Sequence, residues 1–417
     1  MTTPRMSWMR ASHVCGIALF TIACTTAPPT LDAIAQGYVR AALKLAQHDP
    51  DLVEAWRGAD ALMPGPRVPV AGIAAEIHEL QRGIGRHAND VGSAIEKARI
   101  DYLDSQLRAL DFAAARLLGR STSIDEQARD EFSAAFGQPD VEVVKSTLAE
   151  VDRLLPGHGR LIDRVTALRK RVTIPDDRKA AVMQMALTAC REAVAPVIDL
   201  PKDEGVTIRF HKNMPWGAFA RYAGDHRTII EVNDEGPIDV SRALRLACHE
   251  GYAGHHAQHL LIDRVFGERH WVELQLTPAF GRHLLFMEGA AEVGADLALP
   301  ADRRAALYRD RLFPAASLDP RDIDTLVRIE DLLPTLLPVV TEVGRQYLET
   351  KITQGQAIDR LSNEALIGNA TATLAFIERR RARALVYGEG RRVIYSMMPA
   401  KNLGSLRDLF RSASALQ

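Results

Sequence analysis

The chain has 417 residues, room for two or three domains at about 150 residues each and for a core that needs no disulfide scaffold. Its 52 Lys and Arg nearly balance 53 Asp and Glu, which argues against a basic nucleic-acid binder and against an acidic tail. With 47 % apolar and 25 % charged residues, and no uncharged apolar run of about 18, it reads as neither disordered nor polytopic in a membrane.

Arg5 and Arg10 are the only charges before Asp32. Between Val14 and Cys24 runs an uncharged, mostly apolar stretch that fits an export signal and is too short to cross a bilayer. Thr21-Ile22-Ala23-Cys24 resembles a lipoprotein-type cleavage site, and Thr25 to Pro29 reads as a polar tether. Residues 1–24 are therefore expected to be a signal peptide. Cys24 is a candidate for lipid attachment, and an ordinary cleaved signal is the alternative. The expected location is the periplasm, or the outer membrane through that lipid. Cys190 and Cys248 then remain in the body; they are no disulfide framework, and a single bridge between them could form but has no support in the sequence.

Pro64 to Pro69 is a loop. Ile95, Ala98, Ile100, Leu103, Leu107, Leu110 and Phe112 recur mainly at helical spacing and predict a helix over 93–119. Ser123 and Glu126 form a capping box for a helix over 123–136. Pro139-Asp140 opens another, which Pro156-Gly157 stops, and 176–197 continues the pattern. Residues 206–210 and 228–233 are rich in β-branched side chains and read as strands. A helix from Val240 to Ala247 follows, capped by Asp239 or Ser241. Asp319-Pro320 with Asp322 starts a long helix that Pro334 and Pro338 kink or interrupt, and 353–386 is helical again. The expected fold class is mainly α, or α+β with a small sheet. It divides into a helical N-terminal region over 25–200 and a second region over 201–417, two halves able to pack as one body.

Chemistry concentrates in Cys248-His249-Glu250-Gly251-Tyr252-Ala253-Gly254-His255-His256. His-Glu opens the zinc-peptidase helix, in which two histidines one turn apart hold the metal and Glu activates water. Here Ala253 stands where the second His belongs. On a straight helix His255 would lie about 120° off the face of His249, and His256 about 10.5 Å along the axis. Gly251 and Gly254 each disfavour helix by about 1 kcal/mol, so a break there could return either histidine to His249. Downstream, Glu288 and Glu292 lie one turn apart among small residues, and either could supply a third ligand, Glu288 by preference.

The block His-Glu-Gly-Tyr-Ala-Gly-His-His, followed by Glu-Gly-Ala-Ala-Glu from Glu288, resembles the bacterial family called domain of unknown function 885, whose members are placed with zincin-like metallopeptidases. Arg383-Ala384-Leu385-Val386-Tyr387-Gly388 and the strand Ile229 to Val232 also resemble family segments. The resemblance spans roughly residues 120–400. Ala253 replaces the family's usual Pro, and the aromatic residues of its Glu-Gly-Trp-Ala helix are missing. It implies a zincin-like architecture with a central cleft and one Zn2+ bound by His249, by His255, His256 or both, and by Glu288. It implies Glu250 as general base and Tyr387 as donor to the oxyanion. Strand 228–233 would hold an extended peptide, and Arg383, Arg391 or Arg392 a substrate carboxylate.

The expected function is a metallopeptidase acting on small or unfolded peptides, with no nucleic-acid partner and an unspecified oligomeric state. A non-peptide amide or ester hydrolase is one rival, and an inactive envelope lipoprotein with a degenerate site another. His259, His270 and His283 read as surface or supporting residues, Asp296 as solvent-facing, Cys248 as core. Glu292 reads equally as a partner orienting a ligand or as an ion pair. The run Glu378 to Arg383 reads as a solvated helix face with one Arg turned inward.

Overall fold

The computed structural model describes residues 29–87, 92–214, 216–412 and 416. The leader segment and Cys24 lie outside them. The described chain is mainly helical with two small sheets. Among the described residues no helix is long and apolar enough to cross a membrane.

The sequence signals act where they were read. Ser93 and Ser123 form capping boxes with Glu96 and Glu126, opening the helices Ala94–Leu117 and Ile124–Phe132. Asp140 caps Val141–Leu154. Helix Ile323–Leu332 gives way to a 3-10 turn, Leu333–Leu336, before Leu337–Leu348, so the prolines interrupt the helix as expected. The 353–386 segment is not one helix. Gln354–Asn363 and Ala370–Arg380 are separated by Leu366 in the left-handed region, with Asn369 capping the second helix. A further 3-10 turn precedes the helix Val386–Met397.

Strands β1 (Val53–Trp56), β2 (Gly205–His211), β3 (Ala218–Gly224), β4 (Arg227–Asn233) and β5 (Leu276–Pro278) make up the sheets. β2 and β4 are the two expected strands and pair in parallel. Between them in sequence, β3 returns antiparallel to β4 through Asp225 and His226, both at positive φ, as a two-residue hairpin turn requires. The order β2-β4-β3 leaves β3 at an edge. β1 pairs antiparallel with β5 and so brings the N-terminal part of the chain to the second half.

One apolar cluster runs from Ile34 and Tyr38 through Val182 and Ala243 to Phe286 and Phe410 and crosses residue 200 without a seam. Cys190 and Cys248 form a disulfide joining the helix Lys179–Val194 to the helix Val240–Glu250. The bridge that the sequence allowed without supporting is thus present, and Cys248 is buried as expected: helix packing sets the two Cα atoms 5.3 Å apart, within disulfide range, which spacing in sequence does not reveal. The helix Gly281–Ala298 is buried on most faces. A Cβ on its Gly289 would stand 2.3 Å from the carbonyl carbon of Gly390, so this helix and Val386–Met397 touch backbone to backbone.

Candidate metal centre

Helix Val240–Glu250 starts where the Asp239 carboxylate accepts the Arg242 amide N–H at 2.8 Å, and it stops at Glu250. Residues 251–254 form a turn, and a new helix, His255–Phe266, begins. A Cβ on Gly254 would fall 1.7 Å from the carbonyl oxygen of His249, so only glycine lets the chain double back this tightly. The break sets the His255 ring edge-on to His249, centroids 5.0 Å apart.

His255 is therefore the histidine returned to His249, and the inclusion of His256 among the ligands is corrected. His256 is fully buried on the other side of the turn. Its Nδ1 lies 2.8 Å from Thr228 Oγ1 and its Nε2 3.2 Å from Glu204 Oε2. Glu204 also accepts from the Tyr252 hydroxyl at 2.6 Å and from Arg191 Nε at 2.7 Å. With both ring nitrogens engaged, His256 anchors the turn to β4 and to the approach to β2.

His249, His255 and Glu288 offer ligand atoms within 4.8 Å of one another, a group that could hold a metal ion. Glu288 Oε2 lies 3.2 Å from His249 Nε2 and 3.6 Å from His255 Nε2. It is buried, yet makes no hydrogen bond of normal geometry. The opposite ring nitrogens are committed elsewhere. His249 Nδ1 stands 3.2 Å from Glu292 Oε1, and Glu292 also pairs with Arg245. His255 Nδ1 stands 3.0 Å from Gln258 Oε1, and Gln258 donates through Nε2 to the Met287 carbonyl. Outer partners of this kind fix the tautomer and aim each Nε2 inward. Glu292 is thus both an orienting partner and an ion-pair member.

Charge follows the geometry. Burial alone would raise the Glu288 carboxyl, but the facing imidazoles of His255 and His249 hold it well below the usual range. Burial would likewise raise Glu292, but Arg245 and His249 bring it down to about 2. Burial disfavours a charged His249, yet Glu288 and Glu292 push it well above its ordinary value, and Glu288 raises His255 in the same way. This buried, negatively polarised pocket attracts a cation, whether protons or a metal. Burial keeps Glu250 above the ordinary glutamate value, although the neighbouring His249 and His255 imidazoles pull it down.

These groups line a cleft of about 300 Å³ that also contains Tyr387, Glu54, His259 and His283. It continues into a wider space of about 910 Å³, with Glu54, Ala218, Phe219, Arg242, Glu288 and Tyr387 common to both. Tyr387, at the start of its helix, feels Glu288 most strongly, and this together with burial raises its hydroxyl well above the usual tyrosine value. His270 is exposed and remote from the cleft lining.

Several expectations are corrected here. Strand 228–233 cannot hold a peptide, because β4 is paired on both sides, and the free edge facing the cleft is β3. Arg391 pairs with Asp296, which is therefore not simply solvent-facing, and Arg392 pairs with Glu389. Two residues of the run turn inward rather than one: Arg380 pairs with Asp51, and Arg383 bonds the Asp51 carbonyl and lies 3.4 Å from Glu54. Sequence reasoning missed Glu54, which arrives on β1 from the far end of the chain with no local signal. It missed Gln258 and Arg242 too. Arg242 carried a usable signal, seven residues before His249 and hence on the same helical face.

Comparisons with protein-family models, with curated proteins and with solved structures found no match. What the structure establishes is a mainly helical α+β protein with a buried His/His/Glu group suited to a metal ion.

Proposed function

We propose that this protein is an exported, zinc-dependent hydrolase of zincin type that cleaves peptide bonds in small or unfolded peptides, with one zinc ion held by His249, His255 and Glu288. The observation that carries the reading is the convergence of two oriented imidazole Nε2 atoms on a buried, otherwise unbonded Glu288 oxygen, with Glu250 in the same cleft wall. Ligands on a tetrahedral zinc at bonds of about 2.1 Å stand about 3.4 Å apart, close to the 3.2 and 3.6 Å separations here. Two histidines and one carboxylate suit zinc and leave a coordination position for chemistry. The Cys190–Cys248 disulfide suits an oxidising compartment, as export would provide.

Zinc bound there would supply Lewis acidity and ease the deprotonation of water at neutral pH. Glu250, made more basic by burial, takes a proton from the attacking water and delivers it to the departing amine. The water oxygen bonds to the carbonyl carbon, the C–N bond breaks, and no electrons are exchanged with a cofactor. Tyr387 keeps its proton and donates a hydrogen bond to the developing oxyanion. The β3 edge orders an extended backbone, and the joined cleft admits a single strand more readily than a folded domain.

Elemental mass spectrometry on protein freed of residues 1–24 tests the reading. We expect about one zinc per chain in wild type, retention in His256→Gln, and loss in a His249→Ala, Glu288→Ala double variant. Peptide-library cleavage should then fall by about 10²–10⁴ in Glu250→Gln. Absence of metal in wild type after zinc is offered near neutral pH overturns the proposal.

A further inference from the structure

Four arginines, Arg242, Arg245, Arg380 and Arg383, face the joined cleft. Three are engaged: Arg245 with Glu292, Arg380 with Asp51, Arg383 with the Asp51 carbonyl and Glu54. Among the described residues no carboxylate pairs with the half-buried Arg242 guanidinium, although it borders both parts of the cleft. An arginine held unpaired beside a reaction centre is suited to a carboxylate brought by the substrate, because its planar fork matches that group in two-point geometry.

Position and direction can be read from two elements. Arg242 precedes His249 by two helical turns on the same face, about 10.5 Å along the axis. Along β3, Arg242 Nη2 lies 3.5 Å from where a Cβ on Gly217 would stand, whereas Ala220 lines the cleft together with Glu250. Gly217 to Ala220 is three residues, about 10 Å of strand, so strand and helix give the same separation. The Asn233 N–H donates to the Gly217 carbonyl, so Gly217 and Phe219 face β4 while the backbone groups of Ala218 and Ala220 point to the open edge. A peptide added antiparallel to that edge runs N to C from Ala220 toward Gly217. Its scissile carbonyl then sits beside Glu250 and the His249/His255/Glu288 group, and its C-terminal side approaches Arg242.

We infer that Arg242 is a specificity-determining residue that binds a substrate carboxylate about two or three residues beyond the scissile bond, and that the preferred substrates are peptides losing a C-terminal di- or tripeptide. This inference rests on the hydrolase reading above. The shared chemistry is a carboxylate, supplied either by the chain terminus or by an acidic side chain at the same distance, and the two sources are separated by the probes below.

The test is calorimetry on the zinc-loaded Glu250→Gln protein, which binds without turnover. The probes are N-acetyl-hexaalanine as the free acid, the same peptide as its C-terminal amide, and an amide with Glu as its last residue. We expect the acid to bind at least about tenfold more tightly than the plain amide, and the ratio to fall near one when Arg242→Gln is added. Arg242→Lys should retain part of the preference, which guards against reading a folding defect as lost recognition. Equal binding of acid and amide, or no binding of either, overturns the proposal. Preference for the Glu-containing amide over the acid overturns the terminal assignment in favour of an acidic side chain. Zinc-loaded wild type is then given the same acid. An Arg242-dependent preference without cleavage would leave the anchor standing and remove the hydrolase reading, so the two failures are separable.

Discussion

His255 and His256 are adjacent in sequence yet meet opposite environments, and a titration separates them. His256 is sealed between Thr228 and Glu204, and burial drives it down to about 4 despite the Glu204 carboxylate. An unfolded histidine titrates near 6.5, so below that pH the unfolded chain takes up a proton that the folded chain refuses. The His256 contribution to stability is therefore complete above about pH 6.5 and is lost progressively as pH falls toward 4, by up to about 3 kcal/mol. Urea unfolding at intervals from pH 4 to 7 should show a shallower pH slope in His256→Gln than in wild type. Identical slopes would contradict the burial of a neutral His256. Residue types were legible in the sequence: His249, Glu250 and Glu288 were read from the motif, and all three line the cleft. The choice between His255 and His256 was not legible, because it depends on which way a four-residue turn folds back. That direction is set by Glu204 and Thr228, which lie far away in sequence.

At the scale of elements, the metal group depends on a helix that ends early. The sequence marks where a break could fall, since Gly251 and Gly254 disfavour helix between His249 and the two following histidines. The structure adds the reason glycine is required: the His249 carbonyl occupies the space a Gly254 side chain would need. Gly254→Ala should therefore cost more than about 3 kcal/mol, because the obstructing atom is backbone and cannot rotate away. Any folded fraction should have an opened turn and reduced metal retention, measurable by denaturant titration alongside zinc analysis. A variant with wild-type stability and a full zinc complement would show that the turn can relax. Helix starts were legible because caps are local, whereas β3 was not. Its Ala-Phe-Ala-Arg-Tyr-Ala-Gly sequence has no β-branched residue, and it becomes a strand through pairing with β4. That unforeseen strand supplies the open edge of the cleft, while the expected strand β4 lies at the sheet centre.

At the scale of the molecule, the cleft is assembled by long-range ties that reach beyond residues 201–417. β1 carries Glu54 to the cleft by pairing with β5, and the buried pair Arg99–Glu273, 2.6 Å apart, fixes the helix Ala94–Leu117 beside that sheet. The disulfide is the covalent member of this set. It closes a span of 58 residues containing the β2-β4-β3 sheet and most of the helix that ends at His249 and Glu250. A cross-link of that span restricts the unfolded chain by about 4 kcal/mol in the loop-entropy picture, with measured values commonly lower. Cys190→Ala, Cys248→Ala should accordingly unfold at lower denaturant, by about 2–4 kcal/mol, and reduced wild type should behave alike. Zinc retention under native conditions should survive, since Glu292 and Gln258 orient the two imidazoles and neither depends on the sulfurs. Unchanged stability in both the variant and the reduced protein would mean that the bridge contributes nothing to folding. Lost zinc with the fold intact would instead make the sulfur bridge part of what positions His249.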